Sequence, residues 1–172
     1  MLTSETVKAF AKTLGADLCG IGDIRLFAGD PIQRNALQIL PEATCVIGFG
    51  FRVPKGLYEA MGRGIQHYNY TSLGVKYIDE EFAEILLLRM AGMIENEGYD
   101  ACIQRNTSNI RVKGDKTQNP ELRDTYELVH AEPVAPGKPV PDVILDFAKA
   151  AQRCGLGSIS KKGGVLTPQF GP

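Results

Sequence analysis

Apolar residues at helical spacing open the chain: Val7, Phe10, Ala11 and Leu14 recur every three to four positions, Thr3 or Ser4 can cap the start, and Gly15 stands where a left-handed stop belongs. This pattern predicts a first helix. Leu18-Cys19-Gly20-Ile21-Gly22 then reads as a short strand whose glycines admit a close backbone or mark a bulge. After a loop through Asp30-Pro31, the run from Thr44 to Phe51 is apolar nearly throughout, the mark of a strand buried on both faces. Ile78, Phe82, Ile85, Leu86, Met93 and Ile94 predict a helix that starts at Asp79-Glu80-Glu81, where acids suit the helix dipole, and stops at Gly98. Leu87, Leu88 and Met90 widen its apolar face, which predicts packing on two sides, against the sheet and against a second helix or a partner subunit.

Tyr99 to Gln104 reads as another strand. Residues 105–138 form a long polar connection with prolines at 120, 133 and 136, of a length found where a segment lies over a site or is mobile. Within it, Tyr126 to His130 reads as a short edge strand. A last helix is expected from Pro141-Asp142 through Val143, Ile144, Phe147, Ala148 and Ala151 to Cys154, ended by Gly155. Helices and apolar strands that alternate irregularly predict one layered α/β or α+β domain over residues 1–172.

Composition narrows the function classes. Apolar residues at 44% and charged residues at 23% are ordinary for a globular protein and argue against disorder of the whole chain. A net charge of −1 without a basic run argues against a nucleic-acid or anionic-membrane footprint. The start lacks a basic segment followed by an apolar one, and the longest apolar stretch is broken by Arg89 and Gly92, so a cytoplasmic protein without a membrane span is expected. Cys19, Cys45, Cys102 and Cys154 lie far apart with no Cys-x-x-Cys pair; they read as small buried hydrophobes, and no iron–sulfur cluster is expected within the chain. His67 and His130 are too few and too distant for a metal site. No Gly-x-Ser-x-Gly elbow occurs, and Asp23-Ile24-Arg25 follows Gly20 and Gly22 where a dinucleotide fingerprint requires a further glycine.

Two stretches carry candidate chemistry. Gly155-Leu156-Gly157, Lys161-Lys162 and Gly163-Gly164 combine glycines that permit positive φ with adjacent cations, a composition suited to an anionic or amide-rich ligand; equally, Gly155 caps a helix and Gly163-Gly164 make a hairpin turn. The stretch from Arg63 to Gly74 holds the densest mixture of aromatic and hydrogen-bonding side chains, and His67, Tyr68, Tyr70 and Ser72 make it the second place for a ligand. Tyr68 and Tyr70 read either as proton donors or as core aromatics.

The block Gly155-Leu156-Gly157, with Lys161 or Lys162, followed by Leu166-Thr167-Pro168-Gln169-Phe170-Gly171-Pro172, resembles that of epoxyqueuosine reductases, corrinoid-dependent reductive dehalogenases and their small iron–sulfur relatives. Leu14 to Ile21 and Leu40 to Ile47 are similar to the opening passage and central strand of that superfamily. The resemblance implies a nitroreductase-like fold, a largely antiparallel sheet flanked by helices, that binds cobalamin. Tyrosines and small polar residues (His67, Tyr68, Tyr70, Ser72) would surround the ring, and Gly155, Gly157, Lys161, Lys162 and Gly163 would lie near its substituents. Electrons would arrive from a ferredoxin-like iron–sulfur module, which in relatives begins where this sequence stops. FMN is the rival cofactor, since nitroreductase-like folds often bind one.

In epoxyqueuosine reductases an acid ahead of the last helix donates a proton. Counting back from Gly155 puts that position on Pro141, with Asp142 next to it. Asp142 takes the role by a shift of one, or the activity is gone and the chain is a non-catalytic corrinoid or flavin binding module; as a plain structural residue, Asp142 favours a helix N-terminus. An end on Gly171-Pro172 in mid-motif is expected of a piece of a longer protein, and the apolar surface so exposed predicts a homodimer.

Overall fold

A computed structural model describes residues 1–105, 110–113, 127–130, 133, 135–139 and 143–171. Helix α1 (Ser4–Thr13) begins at Thr3, whose side chain accepts from the Thr6 backbone N–H at 3.1 Å while the Thr6 hydroxyl accepts from Thr3 N at 2.9 Å, a reciprocal cap. Gly15 ends it at φ +100°, and the Phe82 ring fills the space that a Cβ there would need.

Strands β1 (Leu18–Asp23) and β2 (Cys45–Gly50) pair antiparallel, with Leu18 opposite Gly50 and Asp23 opposite Cys45. Between them run two short 3-10 turns and helix α2 (Ala36–Ile39). The ladder has a core on each face. Cys19, Ile21, Ile47 and Phe49 point toward α1 and α5 (Ala83–Asn96), where Val7, Ala11, Ala16, Leu86 and Met90 are buried. Leu18 and Val46 face the opposite way, toward Phe27, Ala36, Leu145 and helix α6 (Phe147–Arg153). On that second face the alternate positions are Gly20, Gly22 and Gly48, because the end of α6 crosses there with its backbone: a Cβ on Gly20 would collide with the Cys154 carbonyl. The Cys154 thiol closes the seam by donating to Val46 O at 3.3 Å.

The whole is a mixture of helices and small antiparallel sheets, an α+β chain. Among the described residues the strands form three separate two-stranded ladders rather than one broad sheet. This is why β2 is half-buried instead of enclosed on both faces: it has core on either side but, among the described residues, a single hydrogen-bonded neighbour.

Three expected element boundaries move. Helical backbone runs unbroken from His67 to Asn96, so Asp79-Glu80-Glu81 lie in mid-helix; α4 (His67–Asn69) leads into wide π-type turns over Tyr70–Lys76 and Ile78–Phe82 before α5. Helix α3 (Lys55–Gly62) packs beside these turns at Gly74, where a Cβ would press on Val53 and Leu57. Tyr99 to Gln104 is not a strand; Gly98, at φ +86°, releases the chain into an irregular segment. The last helix starts at Phe147, capped by Asp146, whose Oδ1 accepts from Lys149 N at 3.1 Å, and residues 143–146 before it are not helical. Pro141 and Asp142 lie outside the described residues. The polar connection contains an antiparallel strand pair, β3 (Ile110–Lys113) with β4 (Glu127–His130), so the expected edge strand has a partner over residues 127–130.

Candidate functional site

The terminal block folds back on α6 as a closed hairpin. Gly155 takes φ +75° and its N–H donates to Gln152 O at 3.0 Å, capping α6. Strand β5 (Ser158–Ile159) pairs with β6 (Val165–Leu166), and Gly163, at φ +86°, turns the tip with its N–H on Ser160 O at 3.0 Å. Gly157 has no room for a side chain: a Cβ would collide with the Leu166 carbonyl. Lys161 and Lys162 stand exposed on the tip. Beyond β6, Thr167 and Gly171 exchange two backbone bonds of 2.9 Å, and the Arg52 guanidinium lies 5.7 Å over the Phe170 ring, which ties the block to the chain leaving β2.

His67, Tyr68, Tyr70 and Ser72 occupy the first turns of the long helix. His67 and Tyr68 are exposed, Tyr68 to 78%, and Tyr70 and Ser72 are half-buried. The Ser72 hydroxyl donates to Tyr68 O at 2.7 Å. The Tyr70 ring packs on Tyr58 of α3, centroids 5.1 Å apart. Burial first, then the hydrogen bond with Tyr70, pushes the Tyr58 phenol above its ordinary value. No hydrogen bond or ion pair joins this aromatic group to the terminal hairpin among the described residues, so the two stretches are separate neighbourhoods. Asp142 belongs to the segment outside the described residues; the acid at the head of α6 is Asp146, occupied as its cap.

A cavity of about 210 Å³ lies between α1, the start of β1 and the terminal block; Lys8, Lys12, Asp17, Cys19, Gly155 and Gln169 contribute to its lining. Only Gly155 of these stands among the candidate residues of the sequence. Lys8 and Lys12, four apart on α1, carry the pattern of a solvated helix face. They become a site wall because residues 155–169 fold back over them, a contact between chain ends that one-dimensional periodicity does not encode. No helix among the described residues is long and apolar enough to cross a membrane.

Compared with known proteins, the chain matches no family model, no curated protein and no solved structure.

Proposed function

We propose that this chain is the cofactor-binding portion of a corrinoid-dependent, iron–sulfur-linked reductase of the cytoplasm, with a nitroreductase-like arrangement and a homodimeric state. The observation that supports the reading is the build of the terminal block. The residues that resemble the epoxyqueuosine reductase block form a tight hairpin in which Gly157 is required by packing, Gly155 and Gly163 by positive φ, and Lys161 and Lys162 are presented together to solvent.

Ligand pockets for drug-sized molecules span about 300–1,000 Å³, so the cavity beside Gly155, at about 210 Å³, is too small for a corrin ring. In this reading the ring therefore sits apart from the terminal hairpin, on the open face of the long helix, where Tyr68, Leu73 and Tyr77 are more than half exposed and offer apolar area with phenolic hydroxyls. When bound, the corrinoid supplies the reducing chemistry, with electrons from an iron–sulfur donor; this chain binds and orients it. Tyr68 is the free-standing proton donor in that scheme, since Tyr70 is committed to Tyr58.

Titration of the purified chain with hydroxocobalamin under reducing conditions tests the reading. A shifted visible spectrum and co-elution are expected; an unchanged spectrum without co-elution overturns it, and a yellow preparation with flavin absorbance transfers the site to FMN. A second reading, a corrinoid- or flavin-binding module without turnover, is favoured by one observation: Asp146, at the head of α6, has Oδ1 engaged by the Lys149 N–H and Oδ2 3.5 Å from Lys149 Nζ, so both of its oxygens are committed to holding the start of the helix. Binding without turnover in the presence of a low-potential electron donor would select it.

A further inference from the structure

The cavity between α1 and the terminal hairpin concentrates positive charge around a thiol. Lys8 and Lys12 both line it, and neither forms an ion pair among the described residues. Asp17 is its one carboxylate, and Oδ2 of that group already accepts from Arg52 N at 2.7 Å. Gln169 adds an amide at the wall, and the half-buried Cys19 lies within reach of both ammonium charges.

We infer that this cavity is a binding site for a small oxyanion, a carboxylate or a phosphate, held by Lys8 and Lys12 beside the Cys19 thiol. Two compact ammonium charges one helical turn apart on the same face of α1 can both attract one small oxygen cluster. The volume of about 210 Å³ admits a small anion and excludes a large cofactor. Burial pushes the Cys19 thiol up, and the positive charges of Lys8 and Lys12 nearby oppose that shift. The site is independent of the corrinoid reading, and its test uses no cobalamin.

Two alkylating agents of similar size and different charge report on it: iodoacetate, itself a carboxylate, and neutral iodoacetamide. Peptide mass spectrometry of the native chain gives the labelling rate at Cys19, with the exposed Cys45 as internal reference. The iodoacetate-to-iodoacetamide rate ratio at Cys19 is expected to exceed that at Cys45 by about fivefold, the effect of a partly screened charge pair. Lys8→Gln with Lys12→Gln, both exposed positions whose folding is verified by circular dichroism, brings the two ratios together. Added inorganic phosphate slows iodoacetate at Cys19 and not at Cys45 if phosphate is admitted; acetate does so alone if the site takes only carboxylates. Equal ratios at the two thiols of the native protein, or a Cys19 ratio unchanged in the double variant, overturn the inference.

Discussion

Arg153, in the last turn of α6, grips Asp30 by both carboxylate oxygens, with Nη2 2.8 Å from Oδ1. The Asp30 side chain is 9% exposed, and the guanidinium also lies 4.9 Å over the Phe27 ring. One side chain thus fastens the turn after β1 to a helix far along the sequence. Arg153→Met leaves a carboxylate enclosed without its cation and is expected to cost about 3 kcal/mol. Denaturant unfolding measures it; a loss under about 1 kcal/mol would equate the pair with an exposed surface bridge.

The same pair sets an acid limit. Hydrogen bonding from Arg153 holds the Asp30 carboxyl below its ordinary value. In the unfolded chain the group takes a proton near pH 4, in the folded chain only at lower pH. Its stabilisation is therefore complete above the unfolded value and is lost as pH falls through the folded one. Unfolding free energy measured from pH 6 down to pH 2.5 should fall more steeply in the native chain than in Asp30→Asn, and parallel profiles would refute the linkage.

Glycines divide by what surrounds them. Gly20→Ala drives a methyl into the Cys154 carbonyl and is expected to destabilise by about 1–3 kcal/mol, whereas Gly29→Ala, with open space around it, should change stability little. Thermal melts of the two variants side by side make the comparison. Equal melting temperatures would mean that α6 does not lie against β1 as described.

Much of this frame is legible in the sequence, and the failures have physical causes. α1 is readable because its cap, its apolar stripe and Gly15 agree. β1 and β2 are readable from their apolar runs, and the stop at Gly155 from its glycine. Asp79-Glu80-Glu81 misleads because acids that suit a helix start are tolerated on the solvent side of a continuing helix, here one with Lys76 paired to Glu80 at 3.9 Å. Tyr99 to Gln104 has strand-like side chains but no ladder partner among the described residues, so propensity alone does not make a strand. Of the candidate site, the glycine turn was visible and the lysine-lined cavity was not, since the latter exists only where the two ends of the chain meet.

Thiol labelling should resolve the cysteines by depth. Cys45 and Cys102 are exposed, Cys19 is half-buried, and Cys154 is buried with its thiol pushed up by desolvation. A colorimetric disulfide reagent at pH 8 is expected to modify Cys45 and Cys102 first, Cys19 more slowly and Cys154 only on unfolding. Rapid native labelling of Cys154 would place α6 away from the ladder.

Beyond the stretch assigned to the corrinoid, the long helix leaves Ile85 and Leu88 at 53% and 64% exposure. Self-association through this face is the expected outcome, with a light-scattering mass near twice 18.7 kDa. Ile85→Glu with Leu88→Glu should halve that mass while preserving the circular dichroism spectrum. A native chain that stays at 18.7 kDa at micromolar concentration would exclude the dimer.

The glycine-lined face of β1 has a consequence for how the chain is made. Most of its covering comes from Leu145, Ala150, Cys154 and Leu156, more than a hundred residues after the strand it shields. During synthesis, α1, β1, β2 and α5 can meet early, but the other side of the ladder has only Phe27 and Ala36 to cover it until residues 145–156 have left the ribosome. Such late, distant closure slows folding and prolongs the exposure of Phe27 and Val46 to other chains. Soluble yield should therefore depend more on slow translation and chaperone supply than the equilibrium stability of the finished fold would indicate.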